Sequence, residues 1–217
     1  MREFAPDLKP RLRGVLHQWA CVCSVPLGLV LVIAAGTTPP RIALSVYALS
    51  LMGLFGASAL YHRISWRSVT AREWMRRLDH SMIFVLIAGS YTPFAVLVLH
   101  GPLAITILVG VWAGALVGLV INLVWSDAPR WVQALLYVTL GWVAVAALPQ
   151  LAGAIGVGGL ILLGLGGVLY TLGAVVYAVK RPDPLPSVFG YHEVFHTLVT
   201  AAAALQCAVI AFWILPA

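Results

Sequence analysis

Seven stretches of the chain run for about 20 residues with scarcely a charge among them, a length that crosses the hydrocarbon core of a bilayer as an α-helix. They cover about 15–35, 41–61, 79–99, 102–124, 130–149, 155–179 and 191–215. Between them lie Thr38-Pro39-Pro40, the basic stretch 62–79, Gly101-Pro102, Ser126-Asp127-Ala128-Pro129, Pro149, and the polar segment 180–187. Proline and glycine punctuate these connections, as expected where helices stop. The pattern predicts one all-α integral membrane domain over 1–217. It is a bundle of seven transmembrane helices, with 1–14 as a segment ahead of the first span.

Composition agrees: 62% of the 217 residues are hydrophobic and only 9% are charged, too few to cover a water-soluble surface. The net charge of +6 is distributed by side. Arg2, Lys9, Arg11, Arg13, Arg63, Arg67, Arg72, Arg76, Arg77, Arg130, Lys180 and Arg181 all fall on one side of the seven-span layout, and Arg41 alone on the other. Positive residues stay cytoplasmic. The N-terminus is therefore expected in the cytoplasm and the C-terminus outside, and the basic character marks topology rather than a nucleic-acid partner. The basic start followed by an apolar run resembles an export signal, but the run is long enough to span and is taken as a retained first helix. Cys21, Cys23 and Cys207 lie in apolar runs without metal or disulfide spacing.

Gly110, Gly114 and Gly118 put a small-residue face on the fourth span, and Gly159, Gly166, Gly167 and Gly173 do the same on the sixth. Small faces let helices approach closely. Packing within the bundle is the first expectation, and a homo-oligomer through the fourth span is the second.

Ionisable groups in membrane spans are costly and mark function. Ser58 and His62 stand four residues apart at the inner end of the second span, Asp79 and His80 open the third, and His192, Glu193 and His196 open the seventh. In the seven-span layout all of them share the cytoplasmic leaflet. His192 and His196 can offer two imidazoles to one ion, and zinc usually takes four ligands. The spelling His-Glu-x-x-His is that of zinc proteases, but no His, Asp or Glu follows His196, and position 202 is Ala202. A third ligand must come from upstream, and His62 is the best candidate, with Asp79 or His80 within reach of the ion or its water. Three imidazoles and an open position make a catalytic pattern, in which Asp79 serves water and Ser58 supports an oxyanion. The plainer alternatives are that Asp79 is a helix N-cap, that Ser58 bonds back to its own helix, and that His17 and His100 are interfacial. Glu193 is expected as a solvated or supporting group rather than a base. Trp19, Trp66, Trp74, Trp125, Trp131 and Trp213 lie near span ends, as in an interfacial belt.

The segments KPRLRGVLHQ (9–18), SALYHRISW (58–66), RRLDHSMIFVLIAGSYTPF (76–94) and YHEVFHTLVTAAA (191–203) together resemble the bacterial haemolysin III family. That family belongs with the progestin and adipoQ receptors, including the adiponectin receptors, and more distantly with the alkaline ceramidases. The resemblance implies a seven-helix fold with zinc near the cytoplasmic ends of the second, third and seventh helices. Its Ser-x-x-x-His motif falls on Ser58 and His62, its aspartate on Asp79, and its His-x-x-x-His motif on His192 and His196; Glu193 is outside the motif. It also implies a place in the bacterial cytoplasmic membrane and a role in membrane-lipid homeostasis. A zinc-dependent, ceramidase-like hydrolase of lipid amides or esters is the function it favours. The alternatives are a pore-forming haemolysin, which lacks the polar helix face that a wide channel needs, and a zinc-stabilised receptor or sensor without catalysis.

Overall fold

The computed structural model describes residues 10–125 and 128–215; Arg2, Lys9 and the Ser126-Asp127 part of one connection lie outside the described residues. Seven helices follow in order: α1 (Val15–Ala34), α2 (Thr38–Arg63), α3 (Val69–Leu97), α4 (Gly101–Val124), α5 (Arg130–Gly141), α6 (Leu148–Val179) and α7 (Tyr191–Val209). A 3-10 segment, Trp142–Ala147, joins α5 to α6, and α7 runs into a π-helical turn, Ile210–Ile214. No strand occurs among the described residues, so the all-α expectation is met.

Proline sits in the first turns of α2, α4 and α6, where its missing N–H costs nothing. The basic stretch 62–79 is not the open connection that hydropathy predicts. Ser68 accepts a hydrogen bond from the Ala71 N–H at 3.3 Å and starts α3 ten residues early, at Val69. Hydropathy sees the charges of Arg72, Glu73, Arg76 and Arg77; an N-cap serine ahead of good helix formers decides the backbone.

Among the described residues six helical stretches are long and apolar enough to cross a membrane, and the chain is a multi-pass membrane protein. The count differs from seven because 130–179 forms one continuous stretch. Inside it Gly156 takes φ 58° and ψ −173°, a break in the helix. The Tyr177 hydroxyl donates to Gln133 Oε1 at 3.2 Å, and the Trp142 indole N–H donates to Thr171 Oγ1 at 3.0 Å. Those two bonds pair the stretch with itself in antiparallel sense about the region of Gly156. Tyr91 of α3 supports the 3-10 segment: its hydroxyl donates to the Gly141 carbonyl at 2.5 Å and accepts from the Ala144 N–H at 2.7 Å.

Neighbours in sequence pack together, and α1 closes back on α7. The outer surface is apolar, with Val30, Ile33, Ile105, Val117 and Val157 exposed, whereas Ser50, Ser90, Thr92, Asn122 and Gln133 are buried. Lipid tails are as apolar as leucine, so packing and polar bonds hold the helices. Asn122 donates to the Arg77 carbonyl and to Ser81 Oγ, both at 2.8 Å. A methyl group on Gly118 would strike the Phe84 ring, and one on Gly114 would lie 2.7 Å from Leu140, while Gly110 faces open space. Two of the three α4 glycines thus serve packing inside the bundle. On α6, Gly166 and Gly173 lie against α7.

Candidate metal centre

Three helices bring their polar residues together at one end of the bundle. His62 lies in the last turn of α2, and His192 and His196 lie in the first turns of α7. Asp79 lies well inside α3, whose N-cap is Ser68; the N-cap alternative for Asp79 does not hold. All four side chains are buried.

The nitrogen donors of His62, His192 and His196 lie within 4.8 Å of one another. His62 Nε2 and His192 Nε2 are 3.1 Å apart. A tetrahedral zinc ion with Zn–N bonds of about 2.0–2.1 Å holds its nitrogens about 3.3–3.4 Å apart. The donor set is one that could hold such an ion, and the His62–His192 distance is close to that spacing. Asp79 Oδ2 lies 3.6 Å from His62 Nε2, within reach of an open fourth position. His80 is outside the three-imidazole group and instead lines the neighbouring cavity, with its ring 6.1 Å from that of Tyr177.

Ser58 does not bond back to its own helix. Its Oγ lies 2.8 Å from His17 Nδ1 on α1 and also within hydrogen-bond reach of Asp79. His17 is not interfacial: it is 2% exposed and stacks on His196 with ring centroids 3.7 Å apart and planes 9° apart. Its Nε2 has no hydrogen-bond partner. His17 thus holds the orientation of two site residues at once, a role that a lone histidine near a span end does not advertise. The signal available was its place on the same side as the other polar groups. His100, by contrast, is exposed at the start of α4.

Glu193 is buried at 1% exposure. Its Oε1 accepts from Arg13 Nε at 2.5 Å and its Oε2 from the Gly190 N–H at 2.9 Å. Both oxygens have partners, so Glu193 is neither a solvated group nor a base. It closes the first turn of α7 and ties that turn to the residues ahead of α1. There the Arg11 N–H donates to the Ser187 carbonyl at 3.0 Å and the Leu12 N–H to the Val188 carbonyl at 3.1 Å. Residues 10–14 therefore form a strap across the loop that enters α7.

Gly14 lets the strap turn into α1. It takes φ +78°, and an added Cβ would stand 2.5 Å from the Cβ of His62. Gly14→Ala is expected to displace His62 and lower zinc affinity about tenfold or more, as read by metal titration of purified protein. Gly101→Ala is the control, since Gly101 has φ +66° with nothing within 4 Å. Equal losses in the two variants would assign the effect to backbone strain and not to His62.

Comparison with known proteins shows the family of the chain. The family profile described as Haemolysin-III related matches residues 7–207, which include every residue of the centre. Hemolysin-3 of Bacillus cereus is 32% identical over 206 residues, covering 94% of this chain and 90% of that protein. A Hemolysin-3 homolog of Bacillus subtilis (strain 168) is 30% identical over 203 residues, covering 92% of each. The human Monocyte to macrophage differentiation factor is 27% identical over 164 residues, covering 74% of this chain and 66% of that protein. On this match of nearly the whole chain, the protein belongs to the haemolysin III family, within the progestin and adipoQ receptor group.

Proposed function

We propose that the protein is a zinc-dependent hydrolase of lipid amide or ester bonds in the bacterial cytoplasmic membrane. The observation that carries this is the set of three buried imidazoles, His62, His192 and His196, with Asp79 beside them and Ser58 behind. A structural zinc site is closed by four protein ligands, and a catalytic one keeps a position open. The proposed topology has seven crossings, with the stretch 130–179 crossing twice through its fold at Gly156. The strap and the site end then face the cytoplasm and the C-terminus lies outside, in keeping with the side on which the arginines gather.

His62, His192 and His196 would hold the zinc ion, which supplies Lewis acidity that polarises a carbonyl and acidifies water. Asp79 Oδ2 takes the proton of the attacking water as its oxygen adds to the carbonyl carbon. The same carboxyl returns that proton to the leaving amine or alcohol as the carbon–nitrogen or carbon–oxygen bond breaks. With a proton on Nδ1, His17 donates to Ser58 Oγ; the Ser58 hydroxyl donates to the Asp79 carboxylate and, as Asp79 takes up the proton, turns to the carbonyl oxygen as charge develops. The surrounding helices exclude bulk water, which strengthens each of these interactions.

Purified, zinc-loaded protein is expected to release fatty acid from ceramides or phospholipids. Asp79→Asn should keep the metal and lose activity about a hundredfold or more. A zinc-loaded protein that cleaves neither class would end the hydrolase proposal. The Bacillus relatives' name, hemolysin, favours a second function, membrane lysis. That function requires dye to leak from sealed liposomes that contain the purified protein and no cleaved lipid.

A further inference from the structure

A cavity of about 330 Å³ opens beside the imidazoles, with His62 and His192 in its wall. At about 30 Å³ for a water molecule in the liquid, it has room for about ten non-hydrogen atoms. That is the size of a small headgroup and far short of a lipid's tails. The wall is polar as well: Tyr61 of α2, Gln133 of α5, Tyr177 of α6 and Tyr191 of α7 all reach it, and no carboxylate lines it among the described residues.

The cationic groups of the wall are engaged. Arg13 is matched by Glu193, and Arg76 is not free either. Arg130 donates to the Tyr191 hydroxyl at 3.0 Å and lies over the rings of Tyr177 and Tyr191. What the wall leaves unused is hydrogen bonds. Gln133 is 6% exposed. Its Oε1 accepts from the Tyr177 hydroxyl at 3.2 Å, and no group among the described residues takes its N–H donors. An amide so nearly buried is costly while its donors go unmet. Gln133 lines the cavity, so the cavity is where those donors can be met. The Tyr191 hydroxyl accepts from Arg130, which leaves its own hydrogen to donate.

We infer that Gln133 is a specificity-determining residue of the site, whose N–H donors bind an uncharged, hydroxylated polar end of a lipid seated in this cavity. A hydroxyl suits this wall better than a bare carbonyl, because it accepts from Gln133 and donates to a tyrosine oxygen at once. Tyr177 is a positioning residue that holds the amide from α6. Binding stands without the hydrolase proposal; only the further statement that the bound lipid is the one cleaved rests on it.

The test uses the full chain in dodecyldimethylamine oxide, a detergent without hydroxyls, and follows thermal stability against added ligand. The probes are 1-O-hexylglycerol, hexyl propyl ether, which lacks only the hydroxyls, and glycerol, which lacks only the hexyl chain. Ethers resist hydrolysis, so the readout is binding alone. Hexylglycerol is expected to stabilise saturably and to bind about tenfold or more tighter than hexyl propyl ether. Gln133→Met keeps the length of the side chain and removes its N–H groups; it should cut that ratio to about threefold or less, with zinc content unchanged. Gln18→Met, at an exposed glutamine that meets Arg63 instead, should leave the ratio as in wild type. Tyr177→Phe keeps Gln133 but releases its oxygen, so the ratio should fall part of the way. If Gln133→Met does not fold, Tyr177→Phe decides, and an unchanged ratio there overturns the inference. Equal binding of the two ethers by wild-type protein also overturns it, as does a full ratio in Gln133→Met; the glutamine then only fastens α5 to α6. Glycerol that binds as tightly as hexylglycerol would make the ligand a free polyol and overturn the lipid. Selection of hexylglycerol without turnover of any lipid would leave this site standing while the hydrolase fails; turnover without selection would do the reverse.

Discussion

Protein purified with His62→Ala or with His192→Ala is expected to carry less than about a tenth of the zinc found in wild type, where about one ion per chain is expected. The two residues lie 130 positions apart in sequence, yet their Nε2 atoms are 3.1 Å apart. Each variant removes one of three nitrogens and leaves two, and two imidazoles hold zinc far less firmly than three. Mass-spectrometric metal content on wild type and both variants is the measurement. Full zinc in either variant would mean that the imidazoles of α2 and α7 do not share an ion. The arrangement would then be a buried histidine cluster held by a hydrogen bond. The fold gives this test a sharp internal control. His80, on the same helix as Asp79, lines the cavity and is outside the three-imidazole group, so His80→Ala should keep the metal.

The second large effect lies on the strap. Arg13→Ala leaves the Glu193 carboxylate 1% exposed with its guanidinium partner gone. Removing one partner of a buried ion pair costs about 3–5 kcal/mol. The lower end is expected here, because the Arg13 side chain keeps 20% of its surface exposed and water can enter its place. Glu193→Gln in the same chain removes the stranded charge and keeps an acceptor for the Gly190 N–H. Thermal stability in detergent should therefore fall sharply in Arg13→Ala and recover in large part in Arg13→Ala/Glu193→Gln. Equal instability in the single and the double variant would show that the strap depends on Arg13 packing and not on the buried charge.

The site was legible in the sequence to the extent that its chemistry is costly. An imidazole or a carboxylate in an apolar run has few reasons to be there, so His62, Asp79, His192 and His196 stand out by position alone. Ser58 stands out because it sits one turn from His62. The structure brings all five together. His17 and Arg13 escaped because their types are ordinary where they stand: histidines and arginines gather at membrane boundaries for reasons of solvation and topology. Only tertiary contact shows His17 stacked on His196 and Arg13 matched to Glu193. Glu193 was expected as a solvated or supporting group rather than a base, and it is the buried, supporting one. Its spelling within His-Glu-x-x-His suggests chemistry, and its actual place in the first turn of α7 is set by the reach of a carboxylate back to the Gly190 N–H.

Hydropathy located the helices and blurred their ends. It cut α3 at Asp79 because the ten residues before it carry charge, although Ser68 starts the helix at Val69. It divided 130–149 from 155–179 at Pro149, but a proline in the first turn of a helix does not separate it from what precedes. The departure from helical geometry falls at Gly156 instead. One glycine among the many of α6 gives no sign in sequence that it has turned to positive φ.

The strap has a consequence for how the protein is made. Residues 10–14 leave the ribosome before the loop and helix they fasten, 185–196. Through most of synthesis α1, α2 and α3 are in the membrane while His192 and His196 do not yet exist. At that stage the nascent chain offers one of the three imidazoles proposed to hold zinc. For the zinc site proposed above, metal capture would therefore wait until α7 has inserted and docked against α1.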